Sequence, residues 1–237
     1  MKPMPMILLA AAAAMAWAQP VPNVTWKHLS TKTGDLAVPN SGTQQTSSVV
    51  LDVDKDGRND FVITERTAAP AVVWYRRNPK GWDRYVLEAE ALHIEAGSTS
   101  LDIDGDGDLD VVAGGDFKSN EVWWWENPYP DFSPGKPWKR RAIKSSEKPK
   151  HHDQMFVDVD GDGRPELVFW NQNSRALFLA RVPADPRNSG PWPISTIYTY
   201  SADSQMEQRG EPASFHGINE HEGLAQADID GDGKLDI

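Results

Sequence analysis

No cysteine occurs in the 237 residues, which excludes a disulfide framework and a lipid anchor on an N-terminal cysteine. Basic residues are in the minority, with 24 Lys and Arg against 35 Asp and Glu and a formal net charge of −11. That balance excludes nucleic acid as a partner, because a phosphate backbone demands clustered positive charge. A long apolar run is also missing. The longest, Met6 to Trp17, falls short of the roughly 20 residues that span a bilayer. With Lys2 ahead of it and Ala16-Trp17-Ala18 as a small-x-small cleavage site before Gln19, it reads as a secretory signal over residues 1–18. The chain is then secreted or periplasmic, and residues 19–237 carry no membrane span. Hydrophobic residues and tryptophan are not scarce, at 39% and ten. They are ample for a packed core in one large domain or two small ones.

The acidic residues are concentrated. Seventeen of the 35 lie in four nine-residue segments of the form D-x-D-x-D-G-x-x-[D/E], at 52–60, 102–110, 158–166 and 228–236. Carboxylates at positions 1, 3, 5 and 9 of a tightly curled loop converge on one hard cation. Position 7 offers its backbone carbonyl, and the glycine at position 6 permits the sharp turn. The calcium ligands expected are thus Asp52, Asp54, Asp56, Arg58 and Asp60, then Asp102, Asp104, Asp106, Asp108 and Asp110. In the other two loops they are Asp158, Asp160, Asp162, Arg164 and Glu166, and Asp228, Asp230, Asp232, Lys234 and Asp236. Arg or Lys at position 7 is no obstacle when only the carbonyl is used. An EF-hand is excluded, since its closing Glu comes at position 12 between two helices. Four bound ions would offset most of the net charge, and weak sites of this kind stay loaded only where calcium is abundant, which fits export.

The first aspartates of the loops are spaced by 50, 56 and 70 residues. A period near 50 with several short β-runs per unit is the mark of a propeller blade. The first unit reads as strands 47–53, 61–65, 72–76 and 82–87. The second repeats them at 98–103, 111–113, 122–125 and 138–143, and the third at 155–159, 167–170, 176–180 and 192–197. The expected fold is an all-β propeller of four-stranded blades, three of them whole and a fourth begun at the last loop. On this reading the chain is incomplete at its C-terminus, and the missing blades of the same protein are its first partner. Residues 24–29 resemble an isolated fourth strand. The tryptophans Trp82, Trp138 and Trp192, at one register in every unit, fit blade-to-blade packing better than a sugar-stacking platform.

With these loops, the chain from residue 23 onward resembles the FG-GAP or VCBS type of secreted propeller, in which such calcium loops join the first and second strands of a blade. A narrower resemblance rests on Ile94-Glu95-Ala96-Gly97, His151-His152-Asp153-Gln154 and His221-Glu222-Gly223 with the Trp-Tyr-x-x-Asn-Pro strand. These segments are similar to the propeller part of aldos-2-ulose dehydratases, which implies a metal-dependent elimination of water from a sugar.

Counting seven residues back from each first aspartate gives Gln45, Glu95, His151 and His221. If the register holds, these occupy equivalent places around the propeller axis. Glu95, His151 and His221 would then ligate zinc or another divalent metal, with His152 or Glu222 left as catalytic acid or base. The bland alternative is a set of polar residues hydrogen-bonded to water in the channel. Glu65, Arg66, Asp116, Asn171 and Gln172 come to the same rim, as does the insertion 201–219 with Arg209, Glu211 and His216, a lid or a decorated loop. The functional readings left open are a carbohydrate-related calcium propeller, a sugar dehydratase (a lyase), and a non-catalytic adhesion or recognition module.

Overall fold

The computed structural model describes residues 25–200 and 221–237. The expected secretory signal over 1–18, the start of the expected isolated strand and the insertion 201–219 lie outside them. Among the described residues there is no helix, hence none that could cross a membrane. Twelve strands form three four-stranded antiparallel sheets, each in simple meander order. Blade A holds β1 (Gln45–Leu51), β2 (Asp60–Glu65), β3 (Val72–Asn78) and β4 (Gly81–Glu88). Blade B holds β5 (Ile94–Leu101), β6 (Asp110–Gly115), β7 (Val122–Glu126) and β8 (Lys139–Lys144). Blade C holds β9 (His151–Val157), β10 (Glu166–Asn171), β11 (Ala176–Ala180) and β12 (Ile194–Thr199).

The middle strands explain why the blades stack. Val72-Val73-Trp74-Tyr75 in β3, Val122-Trp123-Trp124-Trp125 in β7 and all of β11 are buried on both faces. Strands of this kind read as continuous apolar runs, because each face meets a neighbouring layer. Between A and B the core is Val62, Trp74 and Leu87 against Val111, Trp123, Trp125 and Trp138. Between B and C it is Val112, Trp124 and Ile143 against Leu167, Phe169, Phe178 and Trp192. Each large side chain buried in this way contributes roughly 1.5–3 kcal/mol. The register tryptophans also tie each blade to the one before it. The Trp138 amide donates to the Leu87 carbonyl at 3.0 Å, and the Trp192 amide to the Ile143 carbonyl at 2.8 Å. Packing, not sugar stacking, is therefore what Trp138 and Trp192 do, while Trp82 meets Phe61 of its own blade edge to face.

The first strands of adjacent blades, β1 with β5 and β5 with β9, approach one another as the inner strands of a propeller do. All twelve expected strands are present, but the inner strands begin two to four residues earlier and end two residues earlier than the apolar runs indicate. The reason is that the first aspartate and its neighbour already belong to the curled loop. Residues 25–29 are a second departure. They form no strand, and Trp26 is 93% exposed.

Candidate metal loops and the polar channel mouth

Each acidic loop leaves the end of an inner strand and closes at the start of the second strand. The first aspartate curls the loop by accepting backbone N–H groups. Asp52 takes those of Asp56 and Gly57, Asp102 those of Gly105 and Gly107, Asp158 those of Gly161 and Gly163, and Asp228 those of Gly231 and Gly233. The closing acid is tied to the loop from the other side. Asp110 accepts the Ile103 amide at 3.1 Å, Glu166 the Val159 amide at 3.1 Å, and Asp236 the Ile229 amide at 2.8 Å. This folding brings oxygen atoms of three carboxylates within 4.8 Å of one another in every loop. The groups are Asp52, Asp54 and Asp60; Asp102, Asp104 and Asp106; Asp158, Asp160 and Glu166; and Asp228, Asp230 and Asp236. Asp56, Asp162 and Asp232 at position 5 instead accept the amide of position 7.

The donor set fits a hard cation such as calcium, because it is all oxygen and anionic. Burial supplies an independent reason. Asp104 and Asp108 each hold a buried Oδ1 with no hydrogen-bond partner. Desolvation, followed by the charge of Asp106, raises the Asp108 carboxyl to about 7, and desolvation raises Asp110 to about 8. Without a cation, burial therefore opposes the ionised form of these groups.

The opposite end of the inner strands carries the polar residues expected at the channel mouth. Glu95, only 2% exposed, accepts a hydrogen bond from Arg66 and lies 3.5 Å from His152 Nε2. His152 Nε2 is 3.8 Å from Glu222 Oε1, so Glu95, His152 and Glu222 share one place. Arg66 Nε and His93 Nδ1 each lie 3.6 Å from Asp116 Oδ2. Glu65 is occupied locally, accepting the Gln44 and Thr67 amides at 3.1 and 3.0 Å.

Glu95, His151 and His221 are not brought together. The His151 ring is buried against Phe169, its Nδ1 is 3.1 Å from the Gly115 carbonyl, and burial lowers its pKa to about 3. His221 lies between Trp170 and Tyr200, with ring centroids 5.0 and 4.0 Å away. Among the described residues, the groups of three or more acids or histidines able to hold a metal are the four loops.

The cause is bulging at the start of each inner strand. Thr46 is skipped in the pairing of β1 with β2, and Asp153 in that of β9 with β10, while Glu95-Ala96-Gly97 all stand opposite Gly114. Two extra residues in β5, against one each in β1 and β9, carry Glu95 out of the register that Gln45 and His151 keep. Gly97 is required there. Its φ is +86°, and a Cβ would run into the Asp153 backbone of the next blade.

The FG-GAP-like repeat profile matches residues 102–169 and 158–237, together more than half of the chain. The chain belongs to the FG-GAP-like repeat family. Its first loop lies ahead of the matched residues yet gathers its carboxylates like the other three. No curated protein matches the chain. Among solved structures it is similar to an Agrocybe aegerita lectin described for specific recognition of non-reducing terminal N-acetylglucosamine. The identity is 14% and the TM-score 0.41 over 63% of this chain. The chain spans 37% of that lectin's length, and a likeness at this level carries neither fold nor ligand across.

Several functional neighbours of the FG-GAP-like loops escape a motif search. Arg76 pairs with Asp54, Arg181 lies 2.8 Å from Asp160 and 2.9 Å from Glu166, and Arg187 lies 2.8 Å from Asp104. Arg76 stands in β3 and Arg181 directly after β11, each opposite the closing acid, and their spacing in the repeat was the available signal. Arg187 comes from a connection with no repeat of its own.

Proposed function

We propose that this chain forms a calcium-stapled propeller-like stack of blades in an exported protein, in which the four loops hold structural calcium ions. The observation that carries the reading is the convergence of three carboxylates within 4.8 Å in all four loops, together with the partnerless buried oxygens of Asp104 and Asp108. Asp, Glu and the position-7 carbonyls would hold the ion. Calcium would supply charge neutralisation and a fixed loop geometry at the point where each blade turns from its first strand to its second. Equilibrium dialysis of the full chain against labelled calcium tests this. Several ions per chain are expected, with one fewer after Asp158→Asn combined with Asp160→Asn. No retained calcium would overturn the reading.

The mouth supports recognition of a polar ligand, with carbohydrate as the chemistry it fits best. Glu95, His152, Glu222 and Arg66 offer acceptors and donors in one place. Hydroxyl-rich ligands are held by directional polar groups of this kind. A glycan array probed with the full chain, and repeated with His152→Ala, is the direct test. The metal triad that a dehydratase would need, Glu95 with His151 and His221, does not converge.

A further inference from the structure

We infer that the second loop is the tightest of the four calcium sites, with Glu126 as a sixth carboxylate of that site and Arg187 as a tethered cation that calcium must displace. The inference rests on the calcium reading above and distinguishes one loop from the others.

Strand pairing makes the loops comparable. Phe61 pairs with Tyr75, Val111 with Trp125 and Leu167 with Ala180. The residue opposite the closing acid is therefore Arg76 in blade A, Glu126 in blade B and Arg181 in blade C. In A and C a guanidinium from the same blade reaches the loop carboxylates. In B the equivalent side chain is itself an acid. Position 7 repeats the contrast, with Arg58, Arg164 and Lys234 in three loops and Asp108 in the second. Among the described residues, every loop carboxylate oxygen that is buried without a hydrogen-bond partner belongs to the second loop, on Asp104 and Asp108.

The counter-charge for this loop arrives from the next blade. Arg187, in the connection between β11 and β12, places Nε 2.8 Å from both Asp104 Oδ2 and Glu126 Oε1, and its Nη2 donates to Asp106. The contact to Asp104 is one of charge only, since that oxygen accepts no hydrogen bond. A guanidinium thus sits among three carboxylates as a stand-in for the ion. It carries one diffuse charge on a tether, whereas calcium carries two and accepts six to eight oxygens, and affinity follows the number of anionic ligands. In the first and third loops the arginine neutralises a site of four acids. In the second, Arg187 meets five loop acids and Glu126, whose other oxygen is held by Arg141, with Lys55 of the preceding loop facing Asp108, and the loop itself carries one acid more than any other.

Calorimetric titration of the chelator-stripped full chain with calcium chloride tests the assignment. One tight site and a weaker class are expected. Glu126→Gln should weaken the tight site by about tenfold and leave the weaker class unchanged. Arg187→Ala should tighten the same site several-fold while lowering the melting temperature of the calcium-free protein. Both side chains are partly exposed, at 20% and 40%, so the fold should survive either change. Loops of equal affinity, a tight site indifferent to Glu126→Gln, or weaker binding in Arg187→Ala would each overturn the inference while leaving the calcium reading intact. Absence of any binding heat, confirmed by dialysis, would overturn both.

Discussion

Two residues at the inner strands show how local chemistry fixes the blades. Gly97 combines a left-handed φ of +86° with a close approach to the Asp153 backbone, whereas Gly34, at +79°, has open space around its missing Cβ. Gly97→Ala should therefore cost clearly more stability than Gly34→Ala, about 2–4 kcal/mol against about 1, as read by denaturant unfolding. His151 is held neutral by burial, with its pKa lowered to about 3 from an ordinary 6.5. A depressed histidine leaves the unfolded chain binding the proton first. Its stability contribution is complete above pH 6.5 and is lost as pH falls from there toward 3. At pH 5 that loss reaches roughly 2 kcal/mol. Comparing wild type with His151→Gln in calcium buffers should show a steeper acid decline for the wild type. Equal slopes would mean the imidazole is not desolvated.

Strands were legible because their apolar runs are long and repeated, and turns because D-G pairs recur at fixed spacing. Val72 to Tyr75 and Val122 to Trp125 could hardly form anything but doubly buried strands. The inner-strand bulges were not legible, since Glu95-Ala96-Gly97 and Asp153 look like ordinary strand residues until two blades are placed side by side. That is why the acidic loops, whose ligands lie within nine consecutive residues, were found from sequence. The mouth was found only in part: His152 lies against both Glu95 and Glu222, but His151 and His221 do not join them.

The end of β8 holds another feature that pattern could not reveal. Lys144 is almost fully buried, its ammonium donating to the carbonyls of Asn120 and Lys148 at 2.9 and 3.1 Å and to that of Ser146. Desolvation lowers its pKa to about 8. It acts as a fixed cation organising the crossover from blade B to blade C. Lys144→Met should leave three buried carbonyls without their donor and cost about 2–4 kcal/mol in chemical denaturation. A neutral outcome would show that the crossover orders itself without the ammonium.

Taken whole, the molecule is a stack of apolar blades with a strongly acidic rim at one end. A net charge of −11 disfavours compactness through self-repulsion, and nearly half of the acidic residues lie in the four loops. Calcium held in the loops would remove that penalty where it is largest, and an ion that binds only the folded loops stabilises by mass action. Each site adds about 2.7 kcal/mol at a hundredfold excess over its dissociation constant. Differential scanning calorimetry of the full chain, in millimolar calcium and again in excess chelator, measures this directly. The account predicts a melting temperature lower by about ten degrees or more in chelator, restored when calcium is returned. Superimposable transitions under the two conditions would contradict it.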